Sequence, residues 1–306
     1  MDSVRVHAPA TVSNVVCGFD CLGFALAEPY DEIVVRKIDD PIIRISHNDD
    51  FGLPTDPGSN VAGVALRALL DSVDADFGFE VEITKNIKPG SGIGSSSASS
   101  CGAVVAANHL LGERFSKLEL AEFAMDGEKL ASGARHADNV APCIFGGFTL
   151  VRSADPLDIV SIEFPPLYVT VIHPQIEIKT ADARAILPKQ VPLGDAVKQW
   201  SNLGSLVAGL SQRDIPLIAR SMEDFIVEPV RKSLIPSFDE VKKAAMSAGS
   251  LGGGISGSGP SMFMLSDSSA TAESVRNTMD AVYSKTSIDF NIYVSEISPS
   301  GVRLAE

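Results

Sequence analysis

Residues 79–87, FEVEITKNI, set Phe79, Val81, Ile83 and Lys85 against Glu80, Glu82, Thr84 and Asn86. Alternation with a period of two predicts a strand with one buried face. The pattern changes after the glycine-rich stretch that follows. SSASSCGAVVAANHLLG (96–112) is almost entirely small or apolar and stops at Gly112, which predicts a tightly packed helix closed by a glycine. Ser116, followed three residues later by Glu119, predicts a capping-box start for a second helix through LELAEFAMDGEKLA, ending before Gly133 and carrying Glu128 in its last turns. Upstream, short apolar runs predict strands at 4–8, 32–38 and 42–45, and SNVAGVALRALLDSV (59–73) reads as a helix. Downstream, PLDIVSIEFPPLYVTVIHP (156–174) reads as strands crossing into a second unit. Helices are expected around 180–187, 194–211, 214–224 and 237–248. A second glycine-rich segment (250–266), a helix near 270–285 and a closing strand, FNIYVSEI, complete the chain. With no internal repeat and no low-complexity linker, the expected fold class is α+β, two units packed together at 1–160 and 161–306, divided near 155–165.

Composition narrows the function. The 306 residues are 45% apolar, enough for real cores in one large or two ordinary domains. A formal charge of -14 disfavours nucleic acid as a partner, because phosphate backbones are bound by basic surface. No leader pattern opens the sequence and no long apolar run occurs, so the expected location is the cytoplasm, with no membrane partner. The cysteines, Cys17, Cys21, Cys101 and Cys143, show neither a paired framework nor a zinc spacing and are read as reduced thiols.

The stretch KPGSGIGSSSASS (88–100) joins the predicted strand to the small-residue helix. A flexible linker would have aperiodic polar flanks, and this one does not. A serine nucleophile at a strand-to-helix elbow needs glycine on both sides at set positions, which no serine here has. The Walker A pattern fails for want of a lysine after the last glycine. The G-x-G-x-x-G match at Gly252, Gly254 and Gly257 leads into a strand-like run rather than a helix, so it lacks the dinucleotide-binding context. What remains is an anion cradle: glycines turn successive N–H groups into one hollow and the helix behind adds its positive end. Serine hydroxyls at Ser95, Ser96 and Ser97 can donate to phosphate oxygens or ligate magnesium, which also wants a carboxylate.

PGSGIGSSSA (89–98) resembles the phosphate loop P-x-x-x-G-L-G-S-S-A of the GHMP kinase family, with the proline one position closer, Ile93 for Leu and Ser97 for the first Ala. APATVSNVVCGFDCLGFAL (8–26) and GGGISGSGPSMF (252–263) resemble the family's N-terminal and C-terminal motifs, in the right order across the whole chain. The resemblance implies a two-domain fold: an N-terminal β/α ATP-binding domain and a C-terminal ferredoxin-like α+β domain. It implies ATP held along Lys88, Pro89, Gly90, Ser91, Gly92, Ile93, Gly94, Ser95, Ser96, Ser97 and Ala98, with Asn60 and Lys85 toward adenosine, and Mg2+ ligated by Ser96 and Glu128. SGARHADNVAPCIFGG (132–147), IKTADARAILP (178–188) and EPVRKSLIP (228–236) resemble the members that phosphorylate L-homoserine. By that resemblance Asn14 and Asp20 face the substrate amino group, Arg184 and Arg231 clamp its carboxylate, and His136 and Asn139 line the pocket near its hydroxyl, with Thr180 and Gly257 beside them. Asp138 is a candidate base; proton loss to the γ-phosphate itself is the main expectation.

Taken singly, these residues have plainer uses. Asn14 and Asp20 suit turns. Arginines mostly form surface ion pairs, and Glu128 near a helix end would usually be solvated. Two other functions stay open at this point: another GHMP small-molecule kinase, such as one acting on mevalonate, and a non-catalytic sensor on the same fold. The oligomeric state, a homodimer included, is not legible.

Overall fold

The computed structural model describes residues 3–305. The first unit runs β1 (Ser3–Ser13), β2 (Leu22–Ile38), β3 (Ile43–His47), α1 (Val61–Asp71), β4 (Gly78–Thr84), α2 (Ser95–Leu110), α3 (Lys117–Ser132), α4 (Val140–Phe145), β5 (Phe148–Ala154) and β6 (Leu157–Ile162). The second runs β7 (Tyr168–Pro174), α5 (Thr180–Ala185), α6 (Leu193–Gln212), α7 (Ile215–Ser221), α8 (Glu228–Arg231), α9 (Phe238–Ser247), β8 (Gly252–Ile255), β9 (Met262–Ser266), α10 (Ser269–Tyr283) and β10 (Phe290–Glu296), before β11 (Arg303–Leu304).

The first sheet has the order β11-β1-β2-β4-β3, with β5 on β2 and β6 on β5. Its spine is β2, which pairs antiparallel with β1 along most of its length, with β4 through Glu32–Ile38 and with β5 through Leu22–Phe24. β2 therefore begins at Leu22 rather than near residue 32. Pro29 within it, and a register shift between Pro9 and Thr11 on β1, interrupt the alternation that would have announced it. β4 keeps the predicted pattern: Phe79, Val81, Ile83 and, just past its end, Lys85 are buried. Helices α1, α2 and α3 stack together, with α2 against β1 and β2. Small residues allow this close approach; a Cβ on Gly102 would come within 2.3 Å of the Ile33 side chain. Ser116 and Glu119 form the expected capping box of α3.

The second sheet is antiparallel, ordered β10-β7-β9-β8, with its first strand between the last and the third. With α9 and α10 over it, this is the ferredoxin-like arrangement. Its strands β7, β8 and β9 are buried on both faces, hence the unbroken apolar run of β9, whereas β10 at the edge is half-exposed. Met262 and Met264 face α9 and α10 with Ile172 and Val275, whereas Phe263 and Leu265, with Val169 and Val171, join the core of the first unit. The chain changes sheets between Ile162 and Tyr168, then returns: β11 pairs with β1. A division at 160/161 thus falls inside β6 and leaves one strand of the first sheet on the far side.

Candidate active site

The loop between β4 and α2 turns on three glycines in the left-handed region: Gly90, Gly92 and Gly94, with φ of 74°, 82° and 71°. Gly94 is the N-cap of α2 and supplies no capping side chain, so the first-turn N–H groups of α2 open toward the cleft without a side-chain acceptor. The loop is clamped from behind by the second glycine-rich segment. Ser256 donates its hydroxyl to the Gly92 carbonyl at 2.7 Å and Ser261 to the Ser91 carbonyl at 2.6 Å. A Cβ on Gly92 would lie 2.6 Å from the carbonyl oxygen of Gly259. The G-x-G-x-x-G match is therefore β8 and its following turn, a support for the phosphate loop.

One cleft of about 350 Å³ is lined both by Pro89, Gly90, Gly92, Gly94, Ser95 and Ser96 and by Asp20, His136, Thr180, Arg184 and Arg231, with Glu128, Asp138 and Asn139 also on its wall. Not every residue expected at the phosphates reaches it. Ile93 and Ala98 are core residues, and Ser91 and Ser97 are buried off the cleft wall, so these four offer backbone only. Lys88 spends its ammonium on the Gln175 side chain, at 2.6 Å.

The two residues expected at adenosine are also committed elsewhere, although Lys85 borders the cleft. Lys85 forms a buried ion pair with Asp31 and donates to the Ser95 carbonyl and the Ser99 hydroxyl, which uses its three donors. It braces the first turn of α2 against β2. Asn60 caps α1, accepting from the Ala62 N–H at 2.9 Å and donating to the Pro54 carbonyl at 2.7 Å. With these bonds made Lys85 has no free donor, while the Asn60 Oδ1 keeps a second lone pair.

Glu128, on α3, is 6% exposed and its Oε1 is buried without a hydrogen-bond partner. Burial pushes its carboxyl up, with the Ser96 and Ser97 hydroxyls beside it acting in opposition. Such an orphaned anion facing a serine of the phosphate loop suits a divalent cation. No group of three or more acidic, His or Cys side chains among the described residues would hold a metal unaided. One carboxylate with phosphate oxygens and water is how magnesium is usually bound. Asp138 is buried, and burial first, then Asp20, pushes its carboxyl up. Asn139 accepts from the Thr11 hydroxyl at 2.8 Å and donates to the Ser13 hydroxyl at 2.9 Å, tying the start of α4 to β1.

On the arginine side, Arg184 makes a two-pronged pair with Asp20, at 2.8 and 3.0 Å, and lies 3.3 Å from Nε2 of His136. Asp20 holds the Arg184 guanidinium above its usual range. Arg231 is 2% exposed; it donates to the carbonyls of Ala183 and Gly257, and no carboxylate among the described residues lies within salt-bridge distance of it. Burial, then Arg184, lowers its pKa. Thr180 stands 3.4 Å from the Ser258 hydroxyl. Asn14 also stands on the cleft wall. Its amide accepts from the Asp20 N–H at 2.7 Å and donates to the Gly257 carbonyl at 2.8 Å, so both ends hold the loop that presents Asp20. Asn14, Val16 and Asp20 all have positive φ, and for the β-branched Val16 this is real strain, of the kind proteins keep at sites of use.

Residues 60–147 match the family model for the GHMP kinases N terminal domain, and residues 206–285 match that for the GHMP kinases C terminal domain. The chain belongs to the GHMP kinase family. A homoserine kinase of Chloroherpeton thalassium is 46% identical over 99% of this chain and 100% of its own, and one of Chlorobaculum tepidum is 43% identical over 99% and 98%. The crystal structure of homoserine kinase from Cytophaga hutchinsonii superposes with a TM-score of 0.96 at 50% identity, covering 100% of this chain and 98% of that one. The chain is thus an ATP-dependent small-molecule kinase, and the support of its candidate cleft was left out by the sequence reading. Ser256 and Ser261 lay in a segment whose glycines drew attention first, and Thr11 and Ser13 lay within the N-terminal motif without a role. All four cysteines are free thiols, and no helix among the described residues is long and apolar enough to cross a membrane.

Proposed function

We propose that this GHMP kinase transfers the γ-phosphoryl group of ATP to the hydroxyl of L-homoserine, giving O-phospho-L-homoserine. The observation that carries the substrate is Arg231: a buried cation on the cleft wall with no carboxylate of its own, beside a pair, Arg184 and Asp20, that already balances itself. Two guanidiniums and one carboxylate are the complement of a molecule carrying one carboxylate and one ammonium. Mevalonate has a carboxylate for Arg231 and no amine, so it would make no use of Asp20 beyond its pair with Arg184.

In the reaction the first-turn N–H groups of α2 and the turned backbone of Gly90–Gly94 hold the phosphates. Ser96 and Glu128 would hold magnesium, whose positive charge would offset that of the γ-phosphate. Asp20 and the arginines fix the amino-acid end so that the hydroxyl stands in line with the γ-phosphorus. The hydroxyl oxygen forms the new P–O bond, the bond to the β-phosphate oxygen breaks, ADP leaves, and the hydroxyl proton passes to an oxygen of the transferred group. Asp138, buried beside the Ser13 hydroxyl and near His136, takes no proton in this reading.

Initial rates of ADP release with homoserine and with mevalonate test this reading. Homoserine should be the far better substrate, and Arg231→Ala should weaken its use by about 2–4 kcal/mol while the KM for ATP stays near normal. Preferred turnover of mevalonate would overturn the substrate; nucleotide and homoserine binding with no turnover would overturn the enzyme.

A further inference from the structure

Arg231 ends α8, a helix of four residues opened by Pro229 and too short to hold itself. What fixes it lies behind it. The Asp224 carboxylate, 8% exposed, accepts from three successive backbone N–H groups: those of Ile226 at 2.8 Å and Val227 at 3.0 Å on Oδ1, and that of Glu228 at 2.9 Å on Oδ2. Oδ1 also accepts from Nε2 of Gln199 at 2.9 Å. Gln199, 9% exposed on α6, takes the N–H of Phe225 on its Oε1 at 2.9 Å. Two side chains thus satisfy the amides of residues 225–228, immediately ahead of Arg231. Gln199 also reaches the other way, donating to the Cys17 carbonyl at 3.2 Å. Cys17 lies in the strained loop that presents Asp20.

An apolar side chain would hold a short helix down at less desolvation cost than a buried carboxylate. What the polar pair adds is geometry: hydrogen bonds of fixed length run from one centre to two chain segments, and those segments carry the groups facing the ammonium and the carboxylate of the amino acid. We propose that Asp224 and Gln199 are positioning residues for the amino-acid side of the cleft, fixing the distance between the Asp20 loop and the Arg231 turn and so setting the ammonium-to-carboxylate span of the substrate that is phosphorylated. This rests on the reading that Asp20 and Arg231 meet the substrate's ammonium and carboxylate.

Asp224→Asn tests it, because whichever way the amide turns, its NH2 faces a backbone N–H and at least one bond is lost. Steady-state rates are measured with homoserine, with its homologue carrying one further methylene between the carboxylate and the amino carbon, and with ATP varied. The expected result is a KM for homoserine raised by about tenfold, a KM for ATP within about twofold, and a several-fold smaller preference for homoserine over the longer homologue. A merely structural role would lower activity on both substrates alike and leave their ratio unchanged, which would overturn the proposal. Added to Arg231→Ala, Asp224→Asn should cost little more, since both act through one contact; full additivity would count against it. If Arg231→Ala itself leaves the homoserine KM untouched, the substrate reading fails; if Arg231→Ala raises it and Asp224→Asn does not, the positioning role alone fails. Gln199→Ala, which leaves the three amide bonds of Asp224 in place, should shift the same ratio by less, and it decides the matter if Asp224→Asn does not fold.

Discussion

On the side proposed to hold the phosphates the cleft is made of backbone: three glycines at positive φ, the open N-terminus of α2, and serine hydroxyls that bond the loop's own carbonyls. On its amino-acid side it is made of side chains that arrive from far apart, Asp20 from the loop after β1, Arg184 from α5 and Arg231 from α8. Backbone offers N–H groups to any phosphate and tells little about what is joined to it. Charged side chains in a fixed pattern choose among acceptors. The division fits a family whose members share a nucleotide and differ in the second substrate, and each side should fail in its own way.

The largest expected effect is on the phosphate side. Gly92→Val places a Cβ against the Gly259 and Ser256 carbonyls at a φ that valine avoids, so the loop must leave its support. A folded variant should lose ATP binding, read by calorimetry, by about 100-fold or more, as a misplaced anion cradle costs several charge-assisted bonds. ATP affinity near that of the wild type would show that backbone geometry is not what holds the nucleotide.

Glu128→Gln comes next. It keeps the shape, removes the charge, and should lower kcat by about 10²- to 10³-fold. Its effect on stability has the opposite sign. Burial raises the Glu128 pKa in the fold above its unfolded value, so the native state binds the proton more tightly, and stability present at low pH is lost as pH rises through the raised value. The variant escapes that loss. Its melting midpoint at neutral pH should exceed that of the wild type by about 2 °C or more, the gap closing as pH falls toward about 4. A variant that is less stable at neutral pH would contradict the orphaned carboxylate.

The smallest effect is expected at the junction of the two sides. Asp138→Asn should cost about tenfold or less in rate, with the acidic limb of the pH–rate profile preserved, since a true general base contributes about 10²- to 10⁴-fold. A near-dead, folded Asp138→Asn would assign it the hydroxyl proton and end the base-free reading.

The same contrast governs what could be read from the sequence. A backbone cradle leaves a contiguous trace, glycines and serines between a strand and a helix, and its place was legible. Lys85 was correctly put on the buried face by alternation, but its partner Asp31 lies on β2, 54 residues away, and nothing local distinguishes a lysine bracing a helix from one reaching a ligand. Asn60 raises the same difficulty, since N-cap use and ligand contact ask for the same amide. The arginines were found through motifs, not through charge pattern. Asp224 and Gln199 left no trace at all, because their bonds are to backbone amides, which any sequence supplies.

The return of the chain at β11 has a consequence for how the molecule is made. Arg303–Leu304 closes the flank of β1, and on the way Ser298 accepts from the Gly147 N–H while the Val302 N–H bonds the Cys143 carbonyl. A polypeptide leaving the ribosome N-terminus first therefore carries the first unit with an open flank on β1 for as long as the whole second unit takes to be translated. Assembly of the kinase is finished from the end of the chain backward, and the half that emerges earliest is the last to be sealed.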